Sequence, residues 1–150
     1  MTNSEKENSI GYQLSYTENL HRNLLNKKFT SNQLDVTPEQ FIILDLLTEY
    51  PDGISMQTIS IKIHRDNSAI TRSIDILEKR NLVIRINAKT DRRKKIILIT
   101  KEGNTLLSKA KNIAKAHAKE VANGLTETQL NEFFMILKHI QNNIHDSTNK

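Results

Sequence analysis

Apolar residues recur along the chain at two periods, and the switch between them marks out the elements. Ile10, Leu14, Leu20, Leu24 and Leu25 fall at mostly helical spacing and predict a first helix over 10–28. Thr37-Pro38-Glu39-Gln40 sets a capping Thr before Pro at the first helical position, with Gln three residues after the cap. Phe41, Leu44 and Leu47 then mark the buried side of a second helix, which Tyr50-Pro51-Asp52-Gly53 stops. Ser55 caps a short third helix with Met56, Ile59 and Ile63 at i, i+3 and i+7. Asp66 caps a fourth that runs to about Arg80. Its apolar face is Ile70, Ile74 and Leu77, and its outward face is Ser68, Thr71, Arg72 and Asp75. Asn81 stands where a left-handed C-terminal cap is wanted.

Here the period drops to two. Leu82, Ile84 and Ile86 alternate with Val83, Arg85 and Asn87, and Ile97 and Ile99 alternate with Ile96 and Leu98. Two strands therefore flank a polar loop from Ala88 to Lys95, a hairpin with a basic tip. Thr100 begins a fifth helix with Leu106, Ala110, Ile113 and Val121 on one side until Gly124. Thr126-Glu127-Thr128-Gln129 is a second capping box. It opens a sixth helix whose Leu130, Phe133, Leu137, Ile140 and Ile144, at steps of 3, 4, 3 and 4, form the seam of helix-on-helix packing. The expected fold is mainly α with a small β-hairpin wing. Six helices are expected, with an optional short strand between the second and third and the wing strands between the fourth and fifth.

Composition sets the class. The 150 residues suit one domain, and 37% hydrophobic with 26% charged residues fits neither a disordered chain nor a membrane protein. Met1 to Gly11 is polar and carries Glu5 and Glu7, so no secretory signal peptide is expected, and the expected location is cytoplasmic. The absence of cysteine excludes a disulfide framework, a thiolate metal site and thiol-based redox sensing. His21, His117, His139 and His145 lack metal-ligand spacing. No Gly-rich phosphate loop and no Gly-x-Ser-x-Gly elbow occur among the four glycines, so neither an enzyme nor a cofactor is expected.

The charge is informative once divided. The chain carries +5, yet Lys62 to Lys95 holds eleven basic and four acidic residues, +7, leaving eleven basic and thirteen acidic elsewhere, −2. A local basic segment over a helix, turn, helix and hairpin is the footprint of a winged helix-turn-helix facing nucleic acid. A helix fits the DNA major groove, where Ser68, Thr71 and Arg72, with Asn67 beside them, would read base edges. Arg72 suits guanine edges and phosphate oxygens alike. Asp75 counts against a purely phosphate-binding face. A polar stripe alone is ordinary for an amphipathic helix, and a charge run alone is ordinarily a solvated surface. The two in succession carry the reading, because a narrow loop holding Lys89, Arg92, Arg93, Lys94 and Lys95 fits the negative potential of the minor groove.

The stretch Asp66-Asn67-Ser68-Ala69-Ile70-Thr71-Arg72-Ser73-Ile74-Asp75-Ile76-Leu77-Glu78-Lys79-Arg80-Asn81-Leu82-Val83, then Thr90-Asp91-Arg92-Arg93 and Leu98-Ile99-Thr100-Lys101-Glu102-Gly103, resembles the MarR family of bacterial transcriptional regulators. Asn81 stands where most members have glycine, and Ile99 where Leu is commoner. The resemblance implies a homodimer in which the first, fifth and sixth helices of two chains intertwine over a pseudo-palindromic operator. It divides the single domain 1–150 into dimerisation helices at about 8–30 and 101–145 and a winged helix-turn-helix at about 37–100. It implies that Arg93 enters the minor groove, oriented by a salt bridge to Asp91, with Arg92 and Lys94 beside it. The function implied is a sequence-specific, ligand-responsive repressor. The alternative is a winged-helix module that binds protein or architectural DNA without a ligand response. Expected partners are double-stranded DNA, a second copy and a small aromatic or phenolic effector, with no membrane. Tyr12, Tyr16 and His21 are the candidate effector contacts, against the alternative that such aromatics are dimer core.

Overall fold

The computed structural model describes residues 5, 7–89, 91 and 93–148. In chain order the elements are α1 (Ile10–Ser31), α2 (Pro38–Thr48), α3 (Met56–Ile63), α4 (Asn67–Lys79), β1 (Val83–Asn87), β2 (Lys95–Ile99), α5 (Lys101–Val121) and α6 (Glu127–Thr148). The chain divides into two compact units, Met1–Lys115 and Ala116–Lys150, with α5 beginning in the first and ending in the second.

The caps in the first unit follow local chemistry. The Thr37 hydroxyl accepts from the Gln40 amide at 3.2 Å while the Gln40 side chain accepts from the Thr37 amide at 3.1 Å. Ser55 accepts from Thr58 N–H at 3.1 Å and Asp66 from Ala69 N–H at 2.8 Å. Three helices end in the same six-to-one, five-to-two pattern with a left-handed residue. At α1, Gln33 has φ 57° and Leu34 N–H reaches the Phe29 carbonyl at 2.9 Å. At α3, His64 has φ 52° and Arg65 N–H reaches the Ser60 carbonyl at 3.1 Å. At α4, Asn81 has φ 56° and Leu82 N–H reaches the Leu77 carbonyl at 2.9 Å. The first of these ends α1 at Ser31, three residues beyond the expected boundary.

Phe29, Ile43, Leu44, Leu47, Ile59, Ile70, Ile74, Leu77, Val83, Ile97, Leu107 and Ala110 form the core of the first unit. The buried side of α2 includes Ile43, with Phe41 at its edge. On α5 the buried residues are Gly103, Leu107, Ala110 and His117, with Leu106 and Ile113 half-buried, while Val121 is exposed. The hairpin pairs antiparallel, Val83 with Ile99, Arg85 with Ile97 and Asn87 with Lys95, so its loop closes one residue earlier than expected. The optional strand between the second and third helices shrinks to a single bridge, Ile54 with Ile97. Gly53 at φ 79° on one side and the Ser55 cap on the other leave no room for more.

In the second unit, Gly124 at φ 83° ends the turn after α5, and Thr126 and Gln129 form the second capping box. The α6 seam is only partly covered: no residue of α6 is buried, Leu130, Leu137 and Ile140 are half-buried, and Phe133 and Ile144 are 49% and 56% exposed. The first two thirds of α1 likewise expose Ile10, Tyr12, Leu14, Tyr16 and Leu20. Among the described residues no helix is long and apolar enough to cross a membrane.

Candidate nucleic-acid interface

The α4 helix starts on Asp66, whose carboxylate accepts the Ala69 amide, and this bond holds its pKa below the ordinary 3.8. With Ile70, Ile74 and Leu77 wholly buried, the 3.6-residue period turns Asn67, Ser68 and Arg72 outward as exposed side chains. Thr71 is half-buried, and its hydroxyl donates to the Asn67 carbonyl at 2.7 Å. Asp75, expected on the outward face, is half-buried and bound at 2.5 Å by Arg85 of β1.

At the wing, Asp91 builds the turn that presents Arg93. Its Oδ1 accepts from the Arg93 amide at 3.0 Å and lies 3.5 Å from Arg93 Nε, while its carbonyl accepts from the Lys94 amide at 3.0 Å. Ala88 N–H closes the loop on the Lys94 carbonyl at 2.8 Å, and Lys95 Nζ reaches Asn87 Oδ1 at 2.6 Å. The Arg93 side chain is 93% exposed. An ion pair so open adds little to stability, so its use is to aim the guanidinium. Lys94 is exposed beside it. Arg92 and Thr90 lie outside the described residues.

Part of the basic segment is spent inside the module. Arg85 binds both Asp75 and Glu78. Arg65 Nε lies 3.8 Å from Glu39 Oε2, and Arg80 3.4 Å from Asp35. Glu39 also accepts the buried Ser73 hydroxyl at 2.5 Å, which ties α2 to α4. Counting charge along the sequence misses Glu39, Ser73 and Arg85, since a charge count does not say which cations have partners. Asp75 and Glu78, three residues apart on one helix, are the signal that a cation from elsewhere joins them.

Tyr12 and Tyr16 stack with ring centroids 5.8 Å apart on α1, and His21 is exposed on the same helix. A cleft of about 480 Å³ lies elsewhere in this unit, lined by Leu34, Leu82 and Leu106 and by Asp35, Arg80, Lys101 and Lys109 among others. The three α1 residues are not part of its wall. No group of three or more His, Asp or Glu among the described residues could hold a metal ion.

Comparison with known proteins matches residues 36–95 to the MarR family. The fold is similar to that of CouR from Rhodococcus jostii RHA1 bound to p-coumaroyl-CoA, at 27% identity over 90% of this chain and 93% of that one, with a TM-score of 0.77. It is also similar to a MarR-family transcriptional regulator from Rhodococcus sp. RHA1, at 26% identity over 93% and 95% of the two chains and a TM-score of 0.79. A mutant MarR from E. coli complexed with operator DNA shares the fold at 20% identity, over 93% and 99% of the chains, with a TM-score of 0.83.

Proposed function

We propose that this chain, whose residues 36–95 carry the MarR-family domain, is a DNA-binding transcriptional regulator that acts as a homodimer on a pseudo-palindromic operator. The observation that carries this reading is the joint presentation of two cationic features by one module. Arg72 with Asn67 and Ser68 lies on the exposed face of α4, and Arg93 stands at the tip of the adjoining hairpin, aimed by Asp91. We assign Asn67, Ser68, Thr71 and Arg72 to the major groove, and Asp91, Arg92, Arg93 and Lys94 to the wing's minor-groove contact. The E. coli protein of the same fold that is complexed with operator DNA supports double-stranded DNA as the partner.

A second copy is the proposed occupant of the apolar stripes on α1 and α6, which makes 8–30 and 101–145 dimerisation helices around a winged region at 37–100. Two-fold symmetry then sets the two recognition helices one DNA turn apart, roughly 34 Å. Repression relieved by an effector is the regulatory mode we propose. CouR bound to p-coumaroyl-CoA supports an effector with an aromatic or phenolic part. Tyr12, Tyr16 and His21 are assigned to its contact. An effector that holds the recognition helices at another separation weakens DNA binding without touching a base contact. Regulation rather than catalysis, in the cytoplasm, completes the reading.

Selection of bound duplexes from a random pool, followed by sedimentation of the purified complex, tests the proposal. An enriched two-fold related sequence bound by two chains is expected. A pool with no enrichment and no retarded duplex at low salt overturns it. Thermal stabilisation by a panel of phenolic acids and their coenzyme A thioesters tests the effector, and its consistent absence favours a module without a ligand response.

A further inference from the structure

Arg85 occupies a position that runs against the ordinary pattern of a strand. Val83 and Arg85 stand on the side of β1 that faces the core, opposite Ile99 and wholly buried Ile97, while Ile84 and Ile86 on the other side are exposed. A cation on the inward side needs charge compensation, because leaving water without a partner is costly. It receives two carboxylates from α4, Asp75 on Nη2 at 2.5 Å and Glu78 on Nη1. The same group lies 4.0 Å from the sulfur of Met56 on α3. Its side chain is 22% exposed, against 27% for Arg80, 51% for Arg65 and 93% for Arg93.

Resting on the DNA-binding reading above, we infer that Arg85 is a positioning residue: it contacts no phosphate, but neutralises Asp75 and Glu78 and braces the wing against the recognition helix. Two consequences follow from the geometry. A two-stranded hairpin is marginal by itself, so its angle to α4 depends on what ties it there. The planar fork of Arg85 serves both acids at once and thereby sets where Arg93 stands relative to Arg72. The second consequence is electrostatic. The cluster of one cation and two anions already carries −1, and loss of Arg85 makes it −2 on the helix that meets a polyanion. At physiological salt that charge acts over about 8 Å.

A thermodynamic cycle on the duplex enriched by the wild-type chain separates this role from a phosphate contact. R85M is expected to weaken binding about tenfold or more, and D75N/E78Q introduced into R85M to regain only the part owed to the unpaired charge and to cost nothing further, because the brace is already gone, so that the two changes are strongly coupled. Additive effects, with the acids' neutralisation helping R85M no more than it helps wild type, overturn the inference and make Arg85 a direct contact. If R85M does not fold, R85K serves: a single ammonium cannot span both carboxylates, so a loss of at least about threefold is expected, and wild-type affinity overturns the brace. A wild-type chain that enriches no duplex defeats the DNA-binding reading instead, so the two failures are distinguishable.

Discussion

The Thr100 hydroxyl donates to the Asn81 carbonyl at 2.7 Å, and this bond joins the end of the recognition helix to the start of α5 at one corner. Thr100 also accepts from the Gly103 amide at 2.9 Å and donates its own amide to the Leu82 carbonyl at 3.1 Å. A Cβ on Gly103 would lie 2.2 Å from the Leu82 carbonyl oxygen, backbone that cannot swing aside.

Gly103→Ala is therefore expected to destabilise the fold by about 3 kcal/mol, since a packed corner must open to admit it. Thr100→Ala loses both bonds of the hydroxyl, the Gly103 cap and the donation to the Asn81 carbonyl, without a clash, and is expected to cost about 1–2 kcal/mol. Urea denaturation of each variant measures both; equal effects would refute the steric account of Gly103.

Arg93→Ala is expected to leave thermal stability unchanged, because the side chain is almost wholly in water. DNA affinity is expected to fall for every sequence, and the slope of log affinity against log salt to shrink by about 0.9. Titrations at several salt concentrations read this directly, and an unchanged slope removes Arg93 from the phosphate contacts.

Arg72→Ala and Ser68→Ala are expected to act on sequence preference. A base-edge contact discriminates by about 1–3 kcal/mol, so the penalty for a wrong base at one operator position should fall by that amount for one of these variants. Repeating the duplex selection with each variant reveals which position relaxes. A uniform loss over all positions would mark Arg72 as a backbone contact.

The Asp66 cap confers a pH dependence whose sign is set by the lowered carboxyl. Its stabilisation is fully present above the ordinary value of 3.8 and is lost as pH falls through the lower value it has in the folded chain. Asp66→Asn keeps a side-chain acceptor and removes the titration. Its acid denaturation should therefore begin with a flatter pH profile than wild type; superimposable profiles would count against the cap as a source of acid sensitivity.

Phe133→Lys in α6 is expected to shift the sedimenting species from two chains to one and to abolish operator binding at concentrations that saturate wild type. Half of this side chain is exposed in the single chain, so burying it against a second copy is where its contribution lies. A dimer that persists unchanged would place the interface elsewhere.

Much of the candidate site is legible in the chain because its determinants are local. Thr37 with Gln40, Asp66 with Ala69, Thr126 with Gln129 and the left-handed Asn81 are satisfied by partners within five residues, so spacing alone identifies them. The buried face of α4 follows from its period in the same way. The faces of β1 do not, because Ile84 and Ile86 make one side look as apolar as the other. The burial of Leu107 where Leu106 was expected reflects the same ambiguity between adjacent apolar residues.

The sequence by itself thus determined the helices, the hairpin, the caps and the basic segment between Lys62 and Lys95. Only the tertiary structure decided which of those cations meet acids within the module and which reach solvent. Ser73 finds Glu39 from 34 residues away and Arg85 finds Asp75 from 10, while Arg93 stays exposed at the wing tip. Caps depend on the geometry of one turn of chain; these pairings depend on which faces meet when the hydrophobic core closes, and charge counted along the chain does not contain that information.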